Sequence, residues 1–463
     1  MDSDKSDATT IAIDDGVISR RTVLKYASAF AIGAPMLGKA FSFGSSSNAA
    51  SSHMELPDGA PSVADLSGTV RWSYEAGNYL TSYKAVIAAL KKQAPNLSVP
   101  LLAQIGPATV VPMLNAIEAG SCDLITSKSP KFQYLDPFLT KKLIVPLEGY
   151  YKKYGWKKYV TPVTTEQSIR DGHIYEVTFY LEGPGIAYRP SVFKKLGIAG
   201  PPNTWAEFLD LLQVAKKAGK VPIISGVLPL SFLCFIHNMI WASMDAASIN
   251  DIIFGNGKWT DGPCALAAEA ALKLWNQGFI DHTSVDISIF TANDRFTAGQ
   301  AVMSITGTWA FAGMQTAFGQ DYGMFTAPSP TAGPKWSLGE DQSQSIPYNS
   351  KDPDTAAAVL DWCIRGTGAE VFAQQGNLMA TSVAQPYQAK QTRVIPVTSP
   401  NTGLYLYGWL PLESQNAWMN GFSNVLRGQT SPKNWTAQIQ TAWQRDEQSG
   451  NLPPLAVRKA IPH

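Results

Sequence analysis

Two hydrophobic periods alternate along the chain. Thr69 to Tyr74 (TVRWSY) reads as a strand, and Tyr83, Val86, Ile87 and Leu90 then fall at i, i+3, i+4 and i+7, one face of a helix. Leu97 to Ile105 reads as a second strand, Val111 to Ala119 as a helix ended by Gly120, and Asp123-Leu124-Ile125 as a third strand. Strand, helix and strand in alternation predict an α/β domain with a largely parallel sheet. Ligands of such sheets bind beyond the carboxyl ends of the strands, here the loops Tyr74 to Asn78 and Thr126 to Lys128.

The pattern continues past position 175. A strand from Tyr175 runs into Gly183-Pro184-Gly185, a candidate crossover, and a second strand, Ile186-Ala187-Tyr188, follows. Thr204-Trp205-Ala206-Glu207 has the spacing of a capping box, and Trp205, Phe208, Leu209 and Leu212 form the apolar stripe of its helix. An Ala-rich helix ends near Gly278, and Phe296 to Trp309 turns from a short helix into a strand ending in Gly307-Thr308-Trp309. Pro353 after Asp352 marks a helix start. Thr367-Gly368-Ala369-Glu370 reads as a second capping box, closed by Gly376, and Leu404 to Trp443 places many aromatics on helical segments.

With 463 residues, 45% of them hydrophobic, the chain exceeds what one core can hold, and two lobes are expected. Thirty-seven Lys and Arg against thirty-six Asp and Glu leave a net charge of +1 with no basic block, which argues against a nucleic-acid partner. Cys122, Cys234, Cys264 and Cys363 lie far apart without a C-x-x-C pair, and we expect buried thiols that act as small apolar residues. His173, His237 and His282 are isolated, so no metal site is expected, and they read as structural or surface residues.

The first fifty residues have a different character. Ser19-Arg20-Arg21-Thr22-Val23-Leu24-Lys25 precedes an apolar stretch from Tyr26 to Leu37, and this layout resembles a twin-arginine (Tat) signal, with Val23 where an aromatic is usual. The stretch is shorter than the roughly 18 residues that span a bilayer, and Pro35 interrupts it. Cleavage is expected near Gly38-Lys39-Ala40, followed by a Ser-rich linker to Ser52. No lipobox cysteine follows, so the expected product is a free periplasmic or secreted protein.

Three stretches resemble the family of extracellular solute-binding proteins that includes maltose-binding protein and other sugar receptors of ABC importers. They are Tyr175 to Glu207 (YEV…AYR…LGI…PPNTWAE), Phe296 to Trp309 (FTAGQAVMSITGTW), and Lys351 to Trp362 (KDPDTAAAVLDW) with Gln375-Gly376-Asn377 beyond it. Arg189 stands where the family usually has Asn, and the loop after Asp123 lacks the aromatic of some maltose-type receptors. The resemblance implies an α/β, type II periplasmic-binding-protein fold, with two lobes joined by crossing strands and a ligand cleft between them. Its expected divisions are 1–52 for the signal and linker, 61–180 plus 326–366 for the first lobe, and 181–325 plus 367–463 for the second.

It further implies an exported receptor that closes by a hinge around a mono- or oligosaccharide and hands it to a membrane ABC permease, acting as a monomer without a cofactor. A sugar offers hydroxyls and CH faces, so its pocket needs polar groups and open aromatic rings, and the chain carries thirteen Trp and seventeen Tyr. Trp309 is the stacking candidate. Tyr74, Glu75, Asn78 and Ser127 follow strands, Tyr180 and Glu182 sit at the crossover, Asp341 lies in a returning loop, and Trp418 is a candidate second platform.

Two other readings compete. A binding protein of the same architecture could take a polyamine, a glycerol phosphodiester or a metal complex, with Lys128 and Arg189 as the nearby cations. A secreted glycoside hydrolase needs only two facing carboxylates, for which Glu75, Glu182 and Asp341 are candidates, whereas G-x-S-x-G, H-E-x-x-H and phosphate-loop motifs are absent.

Overall fold

The computed structural model describes residues 61–452 except 76–78, 105–109, 128–130, 161–167, 228–230, 385–401 and 451. The expected export signal and its linker lie outside the described residues. The main strands are β1 (Trp72–Glu75), β2 (Leu101–Gln104), β3 (Leu124–Ser127), β4 (Val177–Glu182), β5 (Pro184–Tyr188), β6 (Val221–Ile224), β7 (Ala301–Gly307), β8 (Gly323–Phe325), β9 (Trp336–Ser345) and β10 (Thr402–Leu404).

The larger sheet runs β10-β9-β3-β1-β2, with β4 also paired to β9. β1 is parallel to both β2 and β3, as the alternation of strand and helix requires. The stretch expected as one strand from Leu97 to Ile105 is broken instead into Leu97–Ser98 and Leu101–Gln104. Pro100 stands at the break, since it has no N–H to give a ladder, although its carbonyl still accepts from the Trp72 N–H at 3.0 Å.

The smaller sheet runs β6-β7-β5-β8, with β6 parallel to β7 and the other two pairs antiparallel. β4 ends at Glu182 and β5 begins at Pro184, so the chain passes from one sheet to the other over the single residue Gly183. A Cβ on Gly185 would stand 2.4 Å from the Met324 side chain, which is why β5 and β8 can lie this close only with glycine there.

Each sheet has its own core. Trp72, Tyr83, Phe179 and Phe372 pack beneath the helices Leu80–Gln93 and Thr367–Gln374 on the larger sheet. Ile223, Met303, Trp241, Trp418 and Trp435 pack beneath the helices Cys234–Phe254, Cys264–Asn276, Leu412–Leu426 and Pro432–Gln448 on the smaller. Burial of each such side chain contributes about 1.5–3 kcal/mol. Residues Ala369, Phe372 and Ala373, grouped with the second lobe on sequence grounds, pack in the first of these cores.

Some helix ends follow the local chemistry read from the sequence and others do not. Thr204 accepts from the Glu207 N–H at 3.2 Å, while the Glu207 carboxylate takes the Asn203 N–H at 2.7 Å, one residue earlier than a capping box prescribes. The box expected at Thr367 does not form. Gly366 is the N-cap there and no side chain caps the helix, because Thr367 is already inside it. The stripe of the helix Trp205–Lys217 is Phe208, Leu211, Leu212 and Ala215, with Trp205 and Leu209 only half-buried.

All four cysteines are free, buried thiols, and burial raises the pKa of each. His173 is exposed beside Glu148, His282 stacks on Trp275 at 4.4 Å, and His237 is fully buried. Among the described residues no helix is long and apolar enough to cross a membrane.

Candidate functional site

The parallel strands β1, β2 and β3 end on one edge of the larger sheet, where ligands of open α/β sheets bind. β4 delivers Tyr180 and Glu182 to that edge, and the chain then crosses at Gly183. Glu182 is 6% exposed and accepts a hydrogen bond from the Tyr79 hydroxyl. The Tyr79 ring stacks on Tyr180 at 5.0 Å with planes 18° apart. Tyr79 precedes the helix Leu80–Gln93, so this contact ties the helix start to the crossing strand.

The crossing is bound on its other side by the end of β7. Thr308 donates its backbone N–H to the Gly183 carbonyl at 3.0 Å, its hydroxyl accepts from the Gly183 N–H at 3.2 Å, and that hydroxyl donates to the Leu181 carbonyl at 3.1 Å. Trp309 follows, half-buried. Its ring folds over Gly307, where a Cβ would lie 2.2 Å from the ring atoms and 2.6 Å from the Gly183 carbonyl. Phe232, Phe235 and Tyr405 surround the ring at 5.9, 5.6 and 6.3 Å, Tyr405 nearly parallel to it at 29°. Tyr407 leans on Tyr405 at 5.8 Å, and Phe232, Trp309 and Tyr407 each keep part of their surface open. Trp309 packs against the cores of both sheets.

Tyr180, Glu182 and Trp309 therefore gather around Gly183, joined by Tyr79 and Thr308, which sequence reasoning missed. Tyr79 had no signal beyond its place after a strand. Phe232, Phe235, Tyr405 and Tyr407 were visible only as aromatic richness, with nothing to say that the segments meet.

Tyr74 and Ser127, also expected at the site, are buried away from this group. Tyr74 is fully buried in the first core, tilted against Tyr83 at 4.6 Å, and its hydroxyl has no hydrogen-bond partner among the described residues; burial raises its pKa. Ser127 ends β3 but is buried, its single hydroxyl proton shared between the Glu176 carboxylate and, at 3.2 Å, the Ser343 carbonyl. Glu75 pairs through its backbone with Gln104, and Asp341 with Tyr180; the side chains of both, like all of Asn78 and Lys128, lie outside the described part.

Trp418 is corrected from a platform to a core residue. It is fully buried and donates its Nε1–H to His237 Nδ1 at 3.2 Å, so neither ring face is open to a solute. Arg189 is held by Asp321 at 2.8 Å and lies over the Phe318 ring at 4.6 Å, an arrangement that binds β5 to the helix Phe311–Phe318 rather than leaving a cation for an anionic solute. Among the described residues no group of three or more His, Cys, Asp or Glu is placed to hold a metal ion.

Residues 76–365 match the family model for bacterial extracellular solute-binding proteins. Over 146 residues the chain is 32% identical to an uncharacterized ABC transporter extracellular-binding protein of Pyrococcus horikoshii; the match takes in 30% of this chain and 33% of that relative, so the chain spans about a third of the curated relative's length. Among solved structures it is similar to a protein studied for xylan utilization by Caldanaerobius polysaccharolyticus, with a TM-score of 0.67 and 18% identity over 81% of this chain and 99% of the other. It is also similar to a solute-binding protein in complex with raffinose, with a TM-score of 0.64 and 14% identity over 82% of this chain and 99% of the other. At these identities the likeness is one of fold: two α/β lobes joined by crossing strands with a cleft between, the type II periplasmic-binding-protein fold.

Proposed function

Because the chain belongs to the bacterial extracellular solute-binding protein family, we propose that it is the exported receptor of an ABC importer and binds a mono- or oligosaccharide in the cleft beside Gly183. The family is one of binding proteins, not enzymes, and its members deliver small solutes to a membrane permease. The observation that carries the sugar reading is the juxtaposition of a half-open aromatic wall, Trp309 with Phe232 and Tyr407, and a polar floor of Glu182, Tyr79 and Thr308. Rings take the CH face of a pyranose, and carboxylate and hydroxyl groups take its hydroxyls. Raffinose, held by one protein of this fold, is a solute of that kind.

Within this reading the lobes are about 61–180 with 326–384, and 181–325 with 402–452, since Ala369, Phe372 and Ala373 pack with the first core. Glu182, Tyr180, Trp309 and Asp341 are the ligand residues we retain, together with Glu75 and Asn78 from the sequence. Export is by the twin-arginine-type segment around Arg20 and Arg21, and the mature protein works as a monomer outside the cytoplasm.

A ligand that binds only the folded state raises stability by about 2.7 kcal/mol at a hundredfold excess over Kd. Differential scanning fluorimetry of the mature protein against a panel of mono- and oligosaccharides is therefore expected to find one that raises Tm, and Trp309→Ala to weaken its binding by more than about 1 kcal/mol. A rise with a polyamine, a glycerol phosphodiester or a metal chelate and with no sugar would sink the assignment. Turnover of a glycoside, lost in Glu182→Gln, would overturn the receptor reading itself.

A further inference from the structure

The chain leaves the larger sheet at Glu182 and enters the smaller at Pro184, so the backbone at Gly183 sets an angle between the two sheets. Neither ladder reaches it. Glu182 lies opposite Gly339 and Pro184 opposite Gly307, and Gly183 falls between the two registers. Pro184 has no N–H, which makes the Gly183 N–H the last backbone donor before the smaller sheet begins.

One residue takes the polar groups of this crossing. The Thr308 N–H donates to the Gly183 carbonyl at 3.0 Å, and the Thr308 hydroxyl accepts from the Gly183 N–H at 3.2 Å and donates to the Leu181 carbonyl at 3.1 Å. Leu181, Gly183 and Thr308 are all buried, so a bond lost here leaves a polar group short of a partner. Two of the three bonds run through a single hydroxyl. Thr308 also opens the short turn Thr308–Ala310, whose second residue is Trp309, and the Trp309 ring packs against the cores of both sheets. The residue that fixes the crossing and the ring proposed to meet the solute are therefore neighbours in one turn.

We propose that Thr308 is the positioning residue of the crossing. Its hydroxyl holds Gly183 at the angle that aligns the two sides of the cleft, and the turn it shares with Trp309 couples a solute on that ring to the same angle. The hydroxyl proton goes to the Leu181 carbonyl, so Thr308 acts through the crossing and has no proton left to give a solute. The hold on Gly183 stands on the fold alone, whereas the coupling rests on the reading of the cleft as a sugar site.

Thr308→Val keeps the shape of the side chain and removes the hydroxyl, and Thr308→Ser keeps the hydroxyl. Spin labels on Lys92→Cys and Lys217→Cys, exposed positions on helices of the two sides, report the distance between the lobes by pulsed electron resonance, since the four native thiols are buried. Without solute, wild type and Thr308→Ser are expected to give the same narrow distance distribution and Thr308→Val a broader or displaced one. Calorimetric titration with whichever of raffinose, xylobiose or chitobiose raises the wild-type Tm is expected to show Thr308→Val about tenfold weaker, as when the competent angle falls to about a tenth of the population, and Thr308→Ser within about threefold of wild type. A solute-free distribution in Thr308→Val that matches wild type overturns the positioning role, whatever the Tm; weaker binding beside that unaltered distribution makes Thr308 a direct solute contact instead. An altered distribution with unaltered Kd overturns the coupling to the solute. If none of the three sugars binds, the sugar reading fails by itself, and the solute-free distributions still decide the hold on Gly183.

Discussion

Trp309 and Trp418 carry the same side chain in opposite surroundings. Trp309 is flanked by Phe232, Phe235 and the nearly parallel Tyr405 and keeps part of its surface open, whereas Trp418 is enclosed and hydrogen-bonded to His237. That bond sets the tautomer of His237: Nδ1 accepts from Trp418, so Nε2 carries the proton and donates to the Cys264 carbonyl at 3.1 Å. Burial lowers the His237 pKa to about 4, against a smaller opposing effect of the Cys264 carbonyl. The unfolded chain, with an ordinary pKa near 6.5, binds the proton first as pH falls. Stability is therefore full above about pH 6.5 and declines toward about pH 4, by about 3 kcal/mol from this group. Urea unfolding at pH 7 and pH 4.5 should show that decline, and His237→Gln should flatten it whatever its effect at pH 7. From the sequence His237 reads as a structural or surface residue because it is isolated, and the fold places it in the core. Nothing local distinguished the two tryptophans, since each lies in an aromatic-rich stretch and only the packing of distant segments sets which ring is closed in.

At the scale of elements, boundaries follow signals a few residues long. Asp352 caps the helix Pro353–Arg365, accepting from the Thr355 N–H at 3.0 Å and from its hydroxyl at 2.6 Å. Asp352→Ala should lower stability by about 1 kcal/mol, read as a shift in the urea midpoint without a change in slope, and leave solute affinity unaltered. Such caps are legible because donor and acceptor are neighbours in the chain. The exceptions have tertiary causes. Gly366 starts the next helix because the chain turns sharply against Trp362, where a Cβ on Gly366 would be 2.8 Å from the Trp362 carbonyl. Thr367, one place further on, is then already helical and cannot act as the cap.

For the whole molecule, the proposed closure of the lobes turns on the crossing at Gly183. Thr308 binds both Leu181 and Gly183 there, and the chain returns from β8 to β9 through residues 326–335. Few residues carry these connections, so a solute gripped by groups from both lobes is expected to draw them together. Small-angle scattering should show the radius of gyration falling when the stabilising sugar is added. Trp309→Ala should need more sugar to reach the same compact state, because the ring lost is part of the proposed gripping surface.

The sequence by itself determined the α/β class, the order of most strands and helices, the crossover glycines and the family, because periodicity, caps and turn residues act over a few positions. It also named Tyr180, Glu182 and Trp309, which the structure brings together around Gly183. Tertiary structure alone decided that Trp418 is closed into a core, that Ala369, Phe372 and Ala373 join the first core, and that Tyr79 reaches Glu182 across 103 residues of chain. Burial and long-range hydrogen bonds depend on where segments meet, and a local pattern holds no record of that. The positive φ of Gln342 inside β9 belongs to the same class, since a glutamine in a strand looks ordinary until Tyr83 and Gln344 close around it.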